Sequence, residues 1–223
     1  VVSHDETRIV LTGVLVSCVG STLKMVATDS YRLAVSETEL DSPCPEEFEA
    51  VIAGSFLQDI VSLPQSEDPL TIALNDNQIV VTYRDTTFIN RRIEGTFPNY
   101  KQLIAEGHST RATLSTHALT DAVRRVSLLS NKVSPVQVRV DAESGVVTLL
   151  TNSQDIGNAQ ENLICEVDGE SVDIAFNFTF MLDGLNSIDT DAVHLDLFGP
   201  MKPGILRAAE GENFLYLIMP VRV

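Results

Sequence analysis

Short runs in which apolar and polar side chains alternate dominate this chain. Val14, Val16 and Cys18 interleave with Leu15 and Ser17, Gly20 breaks the run, and Leu23, Met25 and Ala27 resume it. A period of two is the signature of a strand with one face turned to a core. Leu70 to Leu74 and Ile79 to Thr82 flank Asn75-Asp76-Asn77, a polar hairpin turn. Arg84-Asp85-Thr86 reads as a second tight turn leading into Phe88 to Arg92. Later in the chain Val136 to Val140 runs into the turn Ala142-Glu143-Ser144-Gly145, followed by Val146 to Leu150.

The spacing predicts few helices, and short ones. One starts after Ser55 and carries Phe56, Leu57, Ile60 and Val61, with Ser55 as its N-cap and Pro64 as its stop. Another starts after Thr179 and carries Met181, Leu185 and Ile188. The third runs from about Ser115 to Leu129, with Leu119, Ala122, Val123, Val126 and Leu129 on one face. Arg124 and Arg125 fall off that face, toward solvent or a partner.

A repeat emerges when the chain is laid on itself with a shift of about 123 residues. Met25-Val26-Ala27-Thr28-Asp29-Ser30 then meets Thr148-Leu149-Leu150-Thr151-Asn152-Ser153, and Leu70-Thr71-Ile72 meets Val193-His194-Leu195. The segment Ala53 to Asp59 meets Asn177 to Asp183, one residue off that shift. A period this long implies a duplicated domain rather than a solenoid. The strand Ala112-Thr113-Leu114 and the helix after Ser115 have no partner in the first copy. The expectation is therefore that the chain, which begins at Val1, starts inside a domain. The copies are assigned to 1–107 and 108–223, joined through Ile104 to Arg111. The fold class expected is α+β, with antiparallel sheets outside and short helices on one face.

Composition narrows the function. Of 223 residues 44% are apolar and 21% charged, as in a folded chain, and no apolar run approaches a membrane span. The net charge of −16 is spread over both copies, 7 basic against 16 acidic residues before His108 and 8 against 15 from there on. That argues against wrapping of nucleic acid around the outer surface. Cys18, Cys44 and Cys165 have neither a metal spacing nor a disulfide pattern, and suit a reducing, cytoplasmic compartment.

Chemistry-bearing motifs are absent. His4, His108, His117 and His194 are scattered, and there is no P-loop, Gly-x-Ser-x-Gly or Gly-x-Gly-x-x-Gly. Asp29 with Arg32 fits a turn-stabilising pair better than a catalytic acid and its partner. No catalytic residue, metal site or cofactor is expected.

Two strings carry a family resemblance. Ala27-Thr28-Asp29-Ser30-Tyr31-Arg32-Leu33-Ala34, with Leu11-Thr12-Gly13 before it and Gly95-Thr96-Phe97-Pro98-Asn99-Tyr100 after it, is one. The ending Leu217-Ile218-Met219-Pro220-Val221-Arg222-Val223 is the other, with Leu129-Ser130-Asn131 and Phe176-Asn177 between. In this order they resemble the second and third domains of the bacterial DNA polymerase III beta subunit, the sliding clamp. The resemblance spans the whole chain.

That resemblance implies a noncatalytic processivity factor of three similar domains per chain. Two chains close head to tail as a homodimer ring around duplex DNA, with helices lining the hole. It also implies a cleft, where two domains meet, that captures short linear peptides of the Gln-Leu-x-Leu-Phe type. The replicative polymerase, the clamp loader and repair proteins would carry them. By residue match, one wall holds Leu11, Thr28, Ser30, Tyr31, Arg32 and Leu33, and the floor Pro98 and Leu103. Asn177, Phe180 and the tail from Leu217 through Ile218, Met219, Pro220, Val221 and Arg222 to Val223 supply the other side. A partner's Leu and Phe anchors need such an apolar cleft with a few orienting polar groups.

Ser30-Tyr31 stands where Gly-His is common, and Gln102 where Arg is common; both bear on peptide choice. Arg124, Arg125 and Lys132 would face DNA through few, salt-sensitive contacts. Leu128 and Leu129 would meet the first domain of a second chain, so this chain alone is not expected to close the ring. No membrane partner is implied. The rival readings are a noncatalytic β-rich ligand-binding or scaffold protein and, more remotely, a hydrolase using Asp29 and a histidine.

Overall fold

The computed structural model describes residues 1–64, 66, 68–129, 135–153, 157–211 and 213–222. Backbone contacts sort them into two units, residues 1–30 with 35–99, and residues 31–34 with 100–223.

The first unit opens with a 3-10 segment, Glu6–Thr12, capped by the Asp5 carboxylate, which accepts the Thr7 N–H at 3.0 Å. There follow β1 (Gly13–Val19), β2 (Thr22–Thr28), β3 (Arg32–Glu39, whose first three residues group with the second unit), β4 (Phe48–Ala53), α1 (Gly54–Val61), β5 (Leu70–Leu74), β6 (Gln78–Tyr83) and β7 (Thr86–Ile93). The strands lie in the order β3-β2-β1-β4-β7-β6-β5. Only Val51↔Ile93 and Ile52↔Arg92 join β4 to β7, so the array is two antiparallel sheets meeting at one short seam. Turn chemistry sets the registers. Gly20 takes a φ of 59° between β1 and β2. In the β5–β6 hairpin the Asn75 carboxamide oxygen accepts the Asn77 and Gln78 N–H groups at 3.1 and 2.7 Å.

Val16, Ala50, Ile52, Phe56, Ile79 and Val81 form the core, with Leu23 and Met25 packed against it. The period-two reading placed one face of β1 and β2 inward, yet the interleaved Leu15 and Val26 are also buried. The helix expected after Ser55 begins at Gly54, with Ala53 at the cap and no side-chain cap bond. β4 runs straight into α1, and a Cβ at Gly54 would lie 2.9 Å from Val2 Cγ2, so a small residue must sit where the helix starts. Val61 ends α1 and is 76% exposed, so it is not on the buried stripe.

The second unit holds a 3-10 turn (Tyr100–Leu103), β8 (Thr110–Ser115), α2 (Thr116–Ser127), β9 (Val136–Asp141), β10 (Val146–Ser153), β11 (Gly157–Ile164) and β12 (Glu166–Gly169). It continues with β13 (Val172–Phe176), α3 (Phe178–Leu185), β14 (Ala192–Leu197), β15 (Gly204–Ala208) and β16 (Asn213–Ile218). One sheet is β11-β10-β9-β13 and another runs β12-β8-β14-β15-β16. Ser115 caps α2 by accepting the Ala118 N–H at 3.4 Å. Leu119, Ala122, Val123 and Val126 are wholly buried where α2 packs on α3 and the sheets. Leu129 lies in the turn beyond the helix. The Asn177 carboxamide oxygen, not Thr179, caps α3, which therefore starts earlier than its apolar spacing suggested and leaves the buried Ile188 outside it. Asp196 on β14, the one wholly buried carboxylate among the described residues, is clamped by Arg111 at 2.5 and 2.8 Å and by Arg207 at 3.2 Å. Such a pair is tolerated inside only because both charges are bonded.

The duplication is real at the level of topology. The order β3-β2-β1-β4 recurs as β11-β10-β9-β13, and β7-β6-β5 as β16-β15-β14. Helix α1 follows β4 and helix α3 follows β13, the strands in equivalent places of the two orders. Among the described residues of the first unit nothing corresponds to β8 or α2.

Candidate functional site

β2 ends at the buried Thr28, and the chain then bends sharply. Thr28 Oγ1 accepts the Ser30 N–H at 3.2 Å, and Ser30 adopts φ 78°, a left-handed conformation rarely taken by a residue with a side chain. Ser30 Oγ in turn accepts from Arg8 Nη1 at 2.9 Å. These residues, the buried Leu11 and the exposed Pro98 belong to the first unit.

The next four residues group with the second unit, and there the predicted residues converge. The Tyr31 carbonyl accepts the Met219 N–H at 2.9 Å. The Tyr31 ring, 61% exposed, lies 6.4 Å from the Phe180 ring at an interplanar angle of 27°. The Arg32 guanidinium sits 4.4 Å over the Phe180 ring, a cation–π arrangement. Its Nη1 pairs with Asp183 on α3 and donates to the Tyr216 hydroxyl at 3.2 Å. Phe180 and Asp183 lie three residues apart on α3, so one helix face supplies both the ring and the counter-ion.

Other predicted residues take different roles. Leu33, Leu217 and Ile218 are core residues, about 1% exposed, and offer no open wall. The Asn177 oxygen is committed to the helix cap, accepting from Thr179 and Phe180 N–H at 2.9 and 3.4 Å. Leu103 is half-exposed on its 3-10 turn, while Met219, 38% exposed, is the apolar tail residue beside Tyr31. The Val221 N–H donates to the Ala175 carbonyl at 2.8 Å, docking the tail along β13. Val221 and Arg222 then border a cavity of about 490 Å³ with Leu150, Met201 and the Arg139–Asp173 pair. Pro220 is half-buried between these points, and Val223 lies outside the described residues. What results is a mixed surface of two rings, a thioether and one fixed cation, able to seat an aromatic or aliphatic anchor and orient a polar group beside it. Asp183 and Tyr216 were not foreseen; the i, i+3 spacing of Phe180 and Asp183 was the available signal.

The arginines expected to face DNA are exposed on α2, as their position off the buried stripe requires. Both are engaged. Arg125 Nε and Nη2 each donate to Glu161 at 2.7 Å, which holds the Glu161 carboxyl below its ordinary range and raises the guanidinium. Arg124 donates to Asn186 at 3.0 Å and lies 3.6 Å from Asp121. Lys132 is outside the described residues. Leu128 is 78% exposed and Leu129 half-buried; Ile164, at the end of the outer strand β11, is 91% exposed. No cluster of three His, Cys, Asp or Glu among the described residues could hold a metal ion. No helix among them is long and apolar enough to cross a membrane.

The comparisons with known proteins agree along the whole chain. Residues 1–99 match the family described as DNA polymerase III beta subunit, central domain, and residues 101–222 match its C-terminal domain. The chain is 33% identical over 239 residues to the beta sliding clamp of Synechocystis sp., covering 99% of this chain and 60% of that protein. It is 32% identical over 223 residues to the beta sliding clamp of Staphylococcus aureus, covering 59% of it. Among solved structures, the DNA polymerase sliding clamp of Bacillus subtilis superposes with a TM-score of 0.95 at 29% identity, over all of this chain and 59% of that one. The DNA polymerase beta subunit of Streptococcus pyogenes gives 0.92 at 26%, over 99% and 60%. The chain thus spans about three-fifths of the length of these relatives. Two clamp-type domains in the order central then C-terminal, each matched by its own family description, make this chain a member of the DNA polymerase III beta subunit family.

Proposed function

We propose that the chain serves a DNA sliding clamp, a noncatalytic cytoplasmic subunit that surrounds duplex DNA and tethers polymerases and repair proteins to it. The domains would be 1–107 and 108–223. The observation that carries the binding role is the cluster of Tyr31, Arg32, Phe180 and Met219, an apolar surface with one fixed cation. A Gln-Leu-x-Leu-Phe-type peptide fits it: the terminal ring lies against Tyr31, Phe180 and Met219, and a peptide carbonyl or carboxylate faces Arg32. The replicative polymerase and the clamp loader are the partners that such a site serves. The exposed Leu128 and the outer strand β11, which ends at the exposed Ile164, would form the surface for a neighbouring subunit, because an open sheet edge is a template for pairing with another chain. The duplex would lie along α2.

A fluorescein-labelled peptide of this type should bind with micromolar affinity, about −8 kcal/mol. Met219→Asp places a charge among the rings and should weaken binding at least tenfold while the protein stays folded. Absence of binding by folded wild-type protein would count against the site. A scaffold protein of another kind would bind the peptide and its alanine-substituted version equally.

A further inference from the structure

We propose that Glu161 is a built-in competitor for DNA phosphate, so that Arg125 engages the duplex through its Nε–Nη2 edge by exchanging a carboxylate for a phosphate. This rests on the reading of α2 as the DNA-facing helix. One bidentate edge of the Arg125 guanidinium is taken, Nε by one Glu161 oxygen and Nη2 by the other, each at 2.7 Å, while Nη1 lies 4.0 Å from Asp121. A phosphate bound side-on would use those same two donors in the same planar geometry. Asp121 repeats the arrangement more loosely, 3.6 Å from Arg124 and 4.0 Å from Arg125. The two arginines and the two carboxylates cancel in charge.

Phosphate contact through that edge of Arg125 is therefore a swap between comparable partners and not the filling of an empty cation. A swap changes the free energy little at any one phosphate, which suits a surface that must move along DNA without being held. The net charge of −16 adds a general repulsion, so freeing a cation on this helix weighs more than it would on a neutral protein. Glu161 projects from β11 and Arg125 from α2, so the bond could instead serve only to fasten the helix to the sheet. Glu161→Gln separates the two possibilities, since it keeps the shape and one hydrogen bond while removing the competing charge.

The experiment is fluorescence anisotropy of a labelled random-sequence duplex of about 20 base pairs, titrated with protein across a salt series. Glu161→Gln should bind about tenfold more tightly at the lowest salt, with the log–log salt slope steeper by about one phosphate contact. Asp121→Asn should act in the same direction by a smaller factor, and decides the matter if Glu161→Gln lowers the melting temperature. Affinities equal to wild type in both variants, including equal absence of binding, overturn the proposal. The double variant Arg124→Gln/Arg125→Gln tests the underlying reading. If it binds no less than Glu161→Gln does, α2 does not face DNA; if it loses binding while the acidic variants match wild type, only the competitor role fails.

Discussion

Removing Arg32 should cost stability as well as binding, and the size of the loss follows from its surroundings. Its side chain is 14% exposed while its partner Asp183 is 47% exposed. A hydrogen bond to a charged group contributes about 1.5–3 kcal/mol when buried, and the exposure of Asp183 argues for the lower end. The stack over Phe180 adds roughly 0.5–1 kcal/mol. Recovered desolvation of the guanidinium offsets part of this, so Arg32→Ala should destabilise by about 2 kcal/mol. For a chain of this size that is a drop of roughly 4–8 °C in melting temperature. Circular-dichroism melts of wild type, Arg32→Ala, Asp183→Ala and the double variant form a cycle whose coupling energy should be about 1 kcal/mol. Arg32→Lys should fall between, because an ammonium keeps charge but loses the planar stack. A coupling energy of zero together with an unshifted Arg32→Ala melt would refute the argument that this cation is held by the pair and the ring.

Three further expectations follow from single positions. Gly184→Ala would put a Cβ 2.5 Å from the buried Tyr216 ring; a packing cost of roughly 1–3 kcal/mol outweighs the helix gain of about 1 kcal/mol, so a melting temperature at or above wild type contradicts it. Ser30→Val forces a β-branched residue to a φ of 78° and should cost about 1–2 kcal/mol, whereas Ser30→Gly should stay within about 0.5 kcal/mol in the same denaturation assay. Burial, then the neighbouring Cys44 thiol, push the Cys18 thiol up to about 11 from 9.0. The native state then holds its proton longer than the unfolded one, so stability should fall as pH rises from about 9 to 11. Cys18→Ala should flatten that slope in urea titrations.

Much of the architecture was legible because it is written at short range. Alternation marked the β1–β2, β5–β6 and β9–β10 hairpins, and polar turns such as Asn75 to Asn77 punctuated them. The stripe from Leu119 to Val126 with Ser115 before it marked α2. Helix starts were less legible where the capping group was not the residue that the apolar spacing favoured, Ala53 for α1 and Asn177 for α3. Site partners were least legible. Arg32 meets Asp183 and Tyr216 across 151 and 184 residues, and Arg125 meets Glu161 across 36. No local period encodes contacts at such separations; they follow only once the strands are paired. The tail shows the same limit, since Leu217 and Ile218 are as apolar as Met219 yet close β16 inside the core while Met219 emerges.

Tyr31 to Ala34 group with the second unit although they lie far upstream of it in the chain. Genetic dissection must respect that grouping. A polypeptide of residues 100–223 alone would leave the Met219 N–H without its carbonyl acceptor, Asp183 without its cation and Phe180 bare on both counts. Any attempt to display the second unit as an independent module has to graft this tetrapeptide back, in cis or as an added strand.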